Sequence, residues 1–125
     1  MIKGLGVDLV ENKRIENLLR KWGDSFFNKI FLPEEIEYCS GKKNLPACFA
    51  ARIACKEAVF KAFGTGWNSN IGWKDIKIVK TLHGEPQIEF FGGAQDYWDK
   101  KGFVNLKVSL SHTDSYSIAV VVIEG

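Results

Sequence analysis

The segment from residue 45 to residue 63 constrains the fold of this chain more than any other part of its sequence. Its apolar residues would face almost every side of a helix, and a helix of that kind is normally buried. The segment also contains four charged residues, and charges are rarely buried without a partner. We therefore expect these residues to line a cleft, a subunit boundary or an ion site; they are Arg52, Lys56, Glu57 and Lys61.

The composition is typical of one globular domain. The chain has 125 residues, of which 46% are hydrophobic and 26% charged, and this length allows a hydrophobic core of its own. We therefore expect a single domain over residues 1–125. The net charge of +2 is too small to indicate nucleic-acid binding. No apolar run reaches the roughly 20 residues that span a bilayer, so no membrane association is expected.

The cysteines are three in number and form no CxxC pair; they are Cys39, Cys48 and Cys55. No signal peptide precedes the strand-like segment that follows Met1, so we expect a cytoplasmic protein with reduced thiols. Cys48 and Cys55 lie seven residues apart on the same stripe of the central helix. This spacing predicts that both are packing residues.

Hydrophobic periodicity and turn residues predict an α+β domain with a mainly antiparallel sheet and a long central helix. The segment 26–32 is interpreted as an apolar connector between helices. The predicted strands cover residues 2–10, 75–81, 87–91, 104–112 and 116–123, and the predicted helices cover residues 11–22, 33–41, 45–63 and 93–101.

The first predicted strand places two glycines beside an acid. Gly4, Gly6 and Asp8 alternate with apolar residues and therefore share one face of the strand. Because glycine has no side chain, a ligand or another backbone segment can approach this face closely. Asp8 either caps the helix that follows or binds a metal ion, since carboxylates are preferred ligands of hard cations.

The charged residues of the central helix form two pairs with a spacing of four. Glu57 and Lys61 can form a surface ion pair worth about 0.2–0.5 kcal/mol, or they can bind Mg²⁺ and a phosphate oxygen respectively. Their apolar surroundings favour the second interpretation. Arg52 and Lys56 lie either at a solvated edge or in a phosphate site, where arginine can form two hydrogen bonds to a phosphate.

Two further features are each compatible with a structural or a functional role. The segment Gly64-Thr65-Gly66 is either the C-cap of the central helix or an anion-binding turn. His112 ends a predicted strand, where it is either a hydrogen-bonded core residue or a ligand.

Four motifs, in this order, resemble those of the 4′-phosphopantetheinyl transferases. The length of the chain and the order of the motifs are similar to those of the short bacterial type, the holo-acyl carrier protein synthases. The resemblance covers essentially the whole chain, and the central run is its most specific part. The motifs are Gly6-Val7-Asp8, Lys56-Glu57-Ala58-x-x-Lys61-Ala62-x-Gly64-Thr65-Gly66, Gly84-x-Pro86 and Ser109-x-Ser111-His112.

The resemblance implies the α+β fold of that family and a homotrimer with active sites at the subunit boundaries. It also implies transfer of phosphopantetheine from coenzyme A to a serine of apo-acyl carrier protein, with release of adenosine 3′,5′-bisphosphate.

The resemblance further assigns roles to individual residues. Asp8 and Glu57 are expected to bind Mg²⁺, and Lys61 is expected to contact the pyrophosphate; these three are the predicted catalytic residues. The predicted contacts with the acidic carrier protein are Arg14 and Lys21 on the first helix. The predicted coenzyme A-binding residues are Arg52, Lys61, Gly64, Thr65, Gly66, Pro86 and His112.

Some points stay open at the level of sequence. Ile53 and Cys55 depart from the usual family pattern, and we expect repacking without loss of activity. Glu57 or a metal-bound hydroxide could accept the serine proton, and the roles of Trp67 and Trp73 are unassigned. Two other functions are compatible with parts of the sequence. A non-catalytic module binding an acidic protein leaves Glu57 unexplained, and a small Mg²⁺-dependent phosphohydrolase leaves the basic first helix unexplained.

Overall fold

The chain folds into an α+β structure, as predicted. The computed structural model describes residues 1–64 and 70–125. The elements in chain order are β1 (Ile2–Glu11), α1 (Asn12–Trp22), α2 (Asp24–Ile30), α3 (Pro33–Ser40), α4 (Leu45–Phe63), a short 3₁₀ helix (Trp73–Asp75), β2 (Ile76–Lys80), β3 (Pro86–Phe90), α5 (Gly92–Lys101), β4 (Asn105–His112) and β5 (Tyr116–Glu124).

The strands form two separate antiparallel sheets. One has three strands in the order β1-β5-β4, so that β5 is central and β1 and β4 are its edges. The other is the hairpin of β2 and β3. The prediction of a mainly antiparallel sheet is therefore confirmed, with the difference that the strands divide into two groups.

The central helix α4 forms the core, as its apolar sequence predicts. Asn44 caps its first turn by accepting a hydrogen bond from the Ala47 amide at 3.2 Å. Gly64 ends the helix in the left-handed conformation, with φ at 79°, a backbone region that glycine enters at little cost. Between these ends most residues of α4 are buried, which fixes the helix firmly on the larger sheet.

Two glycines of β1 allow α4 to lie directly on the strand. A Cβ atom on Gly4 would be 2.2 Å from the carbonyl oxygen of Ala62, and one on Gly6 would be 1.8 Å from that of Ala58. The close approach predicted for this face is therefore made by a helix backbone and not by a ligand. It brings the second half of α4 next to Asp8, the following residue on the same face of β1.

The prediction of an apolar connector over residues 26–32 is wrong, because most of this segment belongs to α2. The helix follows Gly23, whose φ is 53°, and begins with Asp24. The rings of Phe27 and Phe31 pack on Phe49 of α4 at centroid distances of 4.4 and 4.9 Å. The helix is stabilised by this tertiary contact, and seven residues are too few for a clear periodic pattern.

The prediction of three reduced cysteines is also wrong. Cys39 of α3 and Cys48 of α4 are joined by a disulfide with a Cα–Cα distance of 5.5 Å, so Cys48 is not simply a packing residue. The pairing arises because α3 packs across the first turns of α4. Cys55 is free and fully buried, as expected of a packing residue. Burial raises the pKa of its thiol to about 12, which keeps it protonated and unreactive at neutral pH.

The outer face of the larger sheet is apolar and accessible in the isolated chain. Leu5, Val7 and Leu9 of β1 are between 49% and 64% exposed. The alternate side chains of β5 on the same face are half-buried. None of the helices in the described ranges, 1–64 and 70–125, is long and apolar enough to cross a membrane.

Candidate active site

Asp8, Glu57 and Lys61 lie together at the junction of β1 and α4. The ammonium group of Lys61 donates to Asp8 Oδ1 at 3.1 Å and to the carbonyl oxygen of Val7 at 3.0 Å. Glu57 is one turn before Lys61, and the carboxyl group of Asp8 is close enough to it to raise its pKa. Asp8 does not cap α1, since Glu11 occupies the N-cap position of that helix. The predicted catalytic residues therefore form one cluster.

The raised pKa of Glu57 indicates that the positive charge near this cluster does not fully balance its two carboxylates. Burial, followed by the charge and hydrogen bond of Asp8, raises the pKa of Glu57, while Lys61 and Arg14 oppose the shift. Asp8 Oδ2 is buried and has no hydrogen-bond partner among residues 1–64 and 70–125, although buried polar atoms are normally satisfied. Two adjacent carboxylates and one unsatisfied oxygen would be stabilised by a further cation.

The donor set fits Mg²⁺ better than a softer metal. Asp8 and Glu57 provide carboxylate oxygens, and Mg²⁺ usually takes one or two protein carboxylates and completes its octahedral shell with phosphate oxygens and water. Across residues 1–64 and 70–125, no group of three or more His, Cys, Asp and Glu side chains could hold a metal ion. The site therefore suits a cation that arrives with, or is completed by, a phosphate ligand.

A second group of predicted residues lines a basic cavity. Arg52, Pro86 and His112 meet in a cavity of about 460 Å³ beside the first half of α4. His112 is exposed on this side, so it is not the core residue of the alternative interpretation. The cavity also contains three cations that the sequence did not predict, Lys42, Lys43 and Lys80. The aromatic residue Tyr38 lines it as well.

Arg52 is held in the wall of this cavity without a carboxylate partner. Its side chain is 4% exposed, and its guanidinium carbon lies 4.3 Å from the ring centroid of Tyr38. One terminal nitrogen donates to Cys48 Sγ at 3.3 Å, and Nε has no hydrogen-bond partner in the part of the chain that the structure describes. Burial lowers the pKa of Arg52, although nearby Tyr38 and Glu35 oppose the shift. A buried guanidinium of this kind is well suited to bind an anion.

Tyr38 collects the cations of the cavity around its ring. Burial alone would raise the pKa of its hydroxyl, but hydrogen bonds and charge from Lys42 and Lys80 bring it below the usual value. The ammonium group of Lys42 also lies 4.5 Å from the ring centroid. No periodicity or motif in the sequence marks Tyr38, because the cavity is built from three separate segments.

Lys56 does not belong to either group, which corrects the expectation that all four charges of α4 line a cleft, boundary or ion site. Its side chain is fully buried and pairs with the buried carboxylate of Glu35 at 2.7 Å. It also donates to the carbonyl oxygens of Ile30 and Trp73, at 2.8 and 3.0 Å. Lys56 is therefore neither at a solvated edge nor available to a ligand; it joins α4 to three other segments.

The acid cluster and the basic cavity involve opposite edges of the three-stranded sheet. Asp8 is on β1, one edge of the three-stranded sheet, and His112 is on β4, the other edge. The lining of the cavity does not include Asp8, Glu57 or Lys61. One chain therefore presents two separate groups of predicted site residues.

The remaining predicted residues that the structure describes are Gly64 at the end of α4 and Arg14 and Lys21 on α1. Gly64 follows Lys61 and Phe63 as the C-cap of α4, and Thr65 and Gly66 lie outside the described residues, as does Trp67. Arg14 and Lys21 of α1 line a shallow groove with Leu9 and Tyr116. Arg14 is close enough to Glu57 for its charge to act on that carboxylate.

Comparisons with known proteins agree with the resemblance seen in the sequence. A family model, described as ACPS, 4′-phosphopantetheinyl transferase superfamily, matches residues 4–121. A holo-[acyl-carrier-protein] synthase of Geobacter sp. (strain M21) is 41% identical over 124 residues, covering 99% of both chains. One from Syntrophus aciditrophicus (strain SB) is 43% identical over 126 residues, covering 100% of this chain and 98% of the relative.

Solved structures of similar proteins share the fold. The crystal structure of holo-[acyl-carrier-protein] synthase from Neisseria meningitidis is 31% identical and superposes with a TM-score of 0.93 over 100% of both chains. That of the Helicobacter pylori enzyme, in complex with coenzyme A, is 31% identical, with a TM-score of 0.85 over 96% of this chain and 99% of the other. The chain therefore belongs to the 4′-phosphopantetheinyl transferase superfamily.

Proposed function

We propose that this protein is a holo-[acyl-carrier-protein] synthase, a single-domain enzyme that transfers 4′-phosphopantetheine from coenzyme A to a serine of apo-acyl carrier protein. Adenosine 3′,5′-bisphosphate is the second product. The observation that carries the proposal is the cluster of Asp8, Glu57 and Lys61, in which a buried carboxylate oxygen lacks a partner among the described residues and lies beside a second carboxylate. The names of the full-length relatives support the same reaction.

Each residue of the cluster has a role in this reaction. Asp8 and Glu57 hold Mg²⁺, which when bound supplies Lewis-acid stabilisation of the pyrophosphate of coenzyme A. Lys61 is held by Asp8 and the Val7 carbonyl, and from there it neutralises the charge that develops on the leaving phosphate. The serine hydroxyl attacks the phosphorus in line and gives up its proton to Glu57 or to solvent, while the bond from this phosphorus to the oxygen of the leaving adenosine 3′,5′-bisphosphate breaks. Most of the rate enhancement therefore comes from positioning and charge stabilisation.

The basic cavity is proposed to hold the nucleotide end of coenzyme A. Arg52 supplies a planar donor for the 3′-phosphate, and His112 and the cavity lysines add positive charge around it. Pro86 contributes an apolar wall. Gly64, Thr65 and Gly66 remain predicted contacts with coenzyme A, and a cytoplasmic location remains a prediction.

The test of the function is a transfer assay. The protein is incubated with coenzyme A, Mg²⁺ and an apo-acyl carrier protein, and the carrier is then weighed by mass spectrometry. A gain of one phosphopantetheine arm is expected. An unchanged carrier with hydrolysed coenzyme A would indicate a phosphohydrolase instead, and an unchanged carrier with intact coenzyme A would indicate a non-catalytic binding module.

A homotrimer is proposed because one chain separates the two halves of the site. The acid cluster and the basic cavity flank opposite edges of the same sheet, and the outer face of that sheet carries exposed Leu5, Val7 and Leu9. Association of copies through this face would bury apolar surface and bring the acid cluster of one copy to the cavity of the next.

Mixing two inactive variants tests this composite site. Asp8→Ala removes the acid cluster and Arg52→Ala alters the cavity, so each variant alone is expected to be nearly inactive. When the two are unfolded, mixed and refolded together, some boundaries contain one intact cluster and one intact cavity. Recovery of about a quarter of the activity is expected from random assembly, as each half comes from either variant with equal chance. No recovery, with mixed oligomers present by mass, would contradict the shared site.

Charge reversal on α1 is expected to weaken the capture of the acidic carrier protein. Arg14→Glu and Lys21→Glu should each raise KM for the carrier by about tenfold, since charges at the rim of an interface mainly steer association. KM for coenzyme A should stay within about twofold for Lys21→Glu, since the charge of Arg14, and not that of Lys21, acts on Glu57. Steady-state kinetics with each substrate varied in turn measures both values.

Lys13→Glu is the matched control for this prediction. Lys13 lies on the same helix, its side chain is 61% exposed, and it does not line the groove of Arg14 and Lys21. It should change KM for the carrier much less than Lys21→Glu does. Equal losses for the two variants, or equal losses for the two substrates, would exclude this groove as the carrier-binding surface.

A further inference from the structure

A covalent bond joins the two helices that form one wall of the basic cavity. Cys39 of α3 directly follows Tyr38, and Cys48 of α4 precedes Arg52 by one helical turn. The bond therefore links the helix that carries the aromatic ring to the helix that carries the guanidinium. Cys48 lines the cavity, whereas Cys39 is fully buried behind it.

The position of Arg52 depends on these neighbours. Its guanidinium stacks on Tyr38 at 4.3 Å and donates to Cys48 Sγ at 3.3 Å. Among the ion pairs between described residues, none involves Arg52. Glu35, the nearby carboxylate, is occupied by Lys56. The orientation of Arg52 is thus set by one ring and one sulfur, and the disulfide fixes both with respect to α4.

We propose that the Cys39–Cys48 bond positions Arg52 for the phosphate monoester of coenzyme A, so that the thiol–disulfide state of the chain sets its affinity for this donor. The inference rests on the proposed function, because it assumes that the cavity receives the nucleotide end of coenzyme A. With the bond formed, Tyr38 is held beneath Arg52 and the site is preorganised. With the bond reduced, the Lys56–Glu35 pair still joins the first turn of α3 to α4, but the end of α3 that carries Tyr38 is no longer tied to Cys48, and Arg52 loses part of its support.

The chemistry needs only a small-molecule disulfide or thiol as partner. To form the bond, the Cys48 thiolate attacks the small disulfide and releases one thiol, and the Cys39 thiolate then displaces the second thiol from Cys48. Two protein thiols lose two protons and two electrons, and the small disulfide gains them. Reduction reverses these steps, beginning with attack of a small thiolate on the accessible sulfur of Cys48. In a reducing compartment, a protein disulfide is more often a redox-responsive element than a permanent one.

Nucleotide binding to the two redox states tests the proposal. The full-length protein is reduced with excess dithiothreitol or oxidised with glutathione disulfide, desalted anaerobically and titrated by calorimetry with adenosine 3′,5′-bisphosphate and with adenosine 5′-phosphate. The oxidised protein should bind the bisphosphate about tenfold more tightly, the scale of one charge-assisted hydrogen bond. The 5′-phosphate, which lacks the monoester in question, should bind equally to both states.

Two variants separate positioning from general effects of oxidation. Cys48→Ser cannot form the bond and should bind the bisphosphate like the reduced parent under either condition. Cys55→Ala, which removes the free cysteine, should respond to oxidation as the parent does. A response in Cys48→Ser, equal affinities of the bisphosphate for the two states, an equal change for both nucleotides, or no binding of the bisphosphate would each overturn the proposal. If Cys48→Ser does not fold, the reduced parent provides the same comparison.

The transfer assay on the same samples distinguishes this inference from the proposed function. Transfer to the carrier without redox-dependent binding would leave the function intact and remove the positioning role of the disulfide. Redox-dependent binding of the bisphosphate without transfer would keep the positioning role of the disulfide and exclude the proposed transfer reaction.

Discussion

Glu57→Gln is expected to lower the rate of phosphopantetheine transfer by about a hundredfold to a thousandfold, the usual effect of removing one preorganised charge from an active site. The substitution keeps the shape of the side chain but removes the negative charge that would hold Mg²⁺ beside Asp8. Asp8→Asn should have an effect of the same size. Single-turnover kinetics at saturating coenzyme A and carrier protein measures the loss, because it isolates the transfer step from product release.

The stability of the Glu57→Gln variant distinguishes a lost ligand from a damaged fold. Burial and the neighbouring Asp8 raise the pKa of Glu57, so its ionised form is unfavourable in the folded, metal-free protein. This cost is present above the raised pKa and disappears as the pH falls below the ordinary value. The neutral glutamine avoids it, so at pH 8 and without Mg²⁺ the variant should unfold at the same or a higher temperature than the parent.

Activity and stability should therefore change in opposite directions at this site. Glu37→Gln is the matched control, since Glu37 is an exposed glutamate on α3, and neither quantity should change there. Raising the Mg²⁺ concentration should restore part of the activity of Asp8→Asn, which keeps one carboxylate at Glu57. Near-normal transfer by Glu57→Gln at limiting Mg²⁺ would show that these acids do not hold the metal.

The features that the sequence predicts correctly are those with a local or periodic signal. The central helix is recognisable because apolar residues fill it between Asn44 and Gly64, which are standard helix-ending residues. The face of β1 is recognisable from the alternation of Gly4, Gly6 and Asp8. The cluster of Asp8, Glu57 and Lys61 combines a strand position with an i,i+4 pair on a helix. Both parts have a local signal, and only the contact between strand and helix has none.

The features that the sequence does not reveal depend on contacts between distant segments. Helix α2 is stabilised because Phe27 and the neighbouring Phe31 pack on Phe49. Seven residues are too few for a periodic pattern that would predict this contact. Glu35, the partner of Lys56, lies 21 residues away on α3. The spacing of four between Arg52 and Lys56 suggests that the two residues share a role, but in the fold they have different ones. The importance of Tyr38 follows only from the cations placed around it by three separate segments.

Lys56→Met is expected to destabilise the protein by about 3–5 kcal/mol, because it leaves the buried carboxylate of Glu35 without its counter-charge. Lys56 also satisfies the carbonyl oxygens of Ile30 and Trp73, which would lose a donor in a buried setting. Burial lowers the pKa of Lys56, and the charge of Glu35 opposes this shift. Each charge of the pair therefore compensates for the burial of the other. Urea unfolding followed by circular dichroism measures the loss.

Lys77→Met is the matched control for the buried pair. Lys77 lies 3.7 Å from Glu34; the lysine side chain is 19% exposed and that of Glu34 is 64% exposed. A pair with one partner at the surface and a long contact distance contributes about 0–1 kcal/mol. A loss for Lys56→Met no greater than that for Lys77→Met would show that the buried pair adds no more than a surface contact.

The double variant Lys56→Met/Glu35→Gln separates the loss of charge balance from the loss of packing. Glutamine removes the unpaired negative charge, and its side-chain oxygen can still accept the hydrogen bond from the Leu32 amide. It cannot also accept from the Ile78 amide, as Glu35 does, but an unpaired buried charge costs more than one lost acceptor. The double variant should therefore be more stable than Lys56→Met alone by about 1 kcal/mol or more, since residues in contact couple by 0.5–3 kcal/mol. If the second substitution instead adds a further loss, the hydrogen bonds that Glu35 accepts from the Leu32 and Ile78 amides stabilise the fold more than its unpaired charge destabilises it.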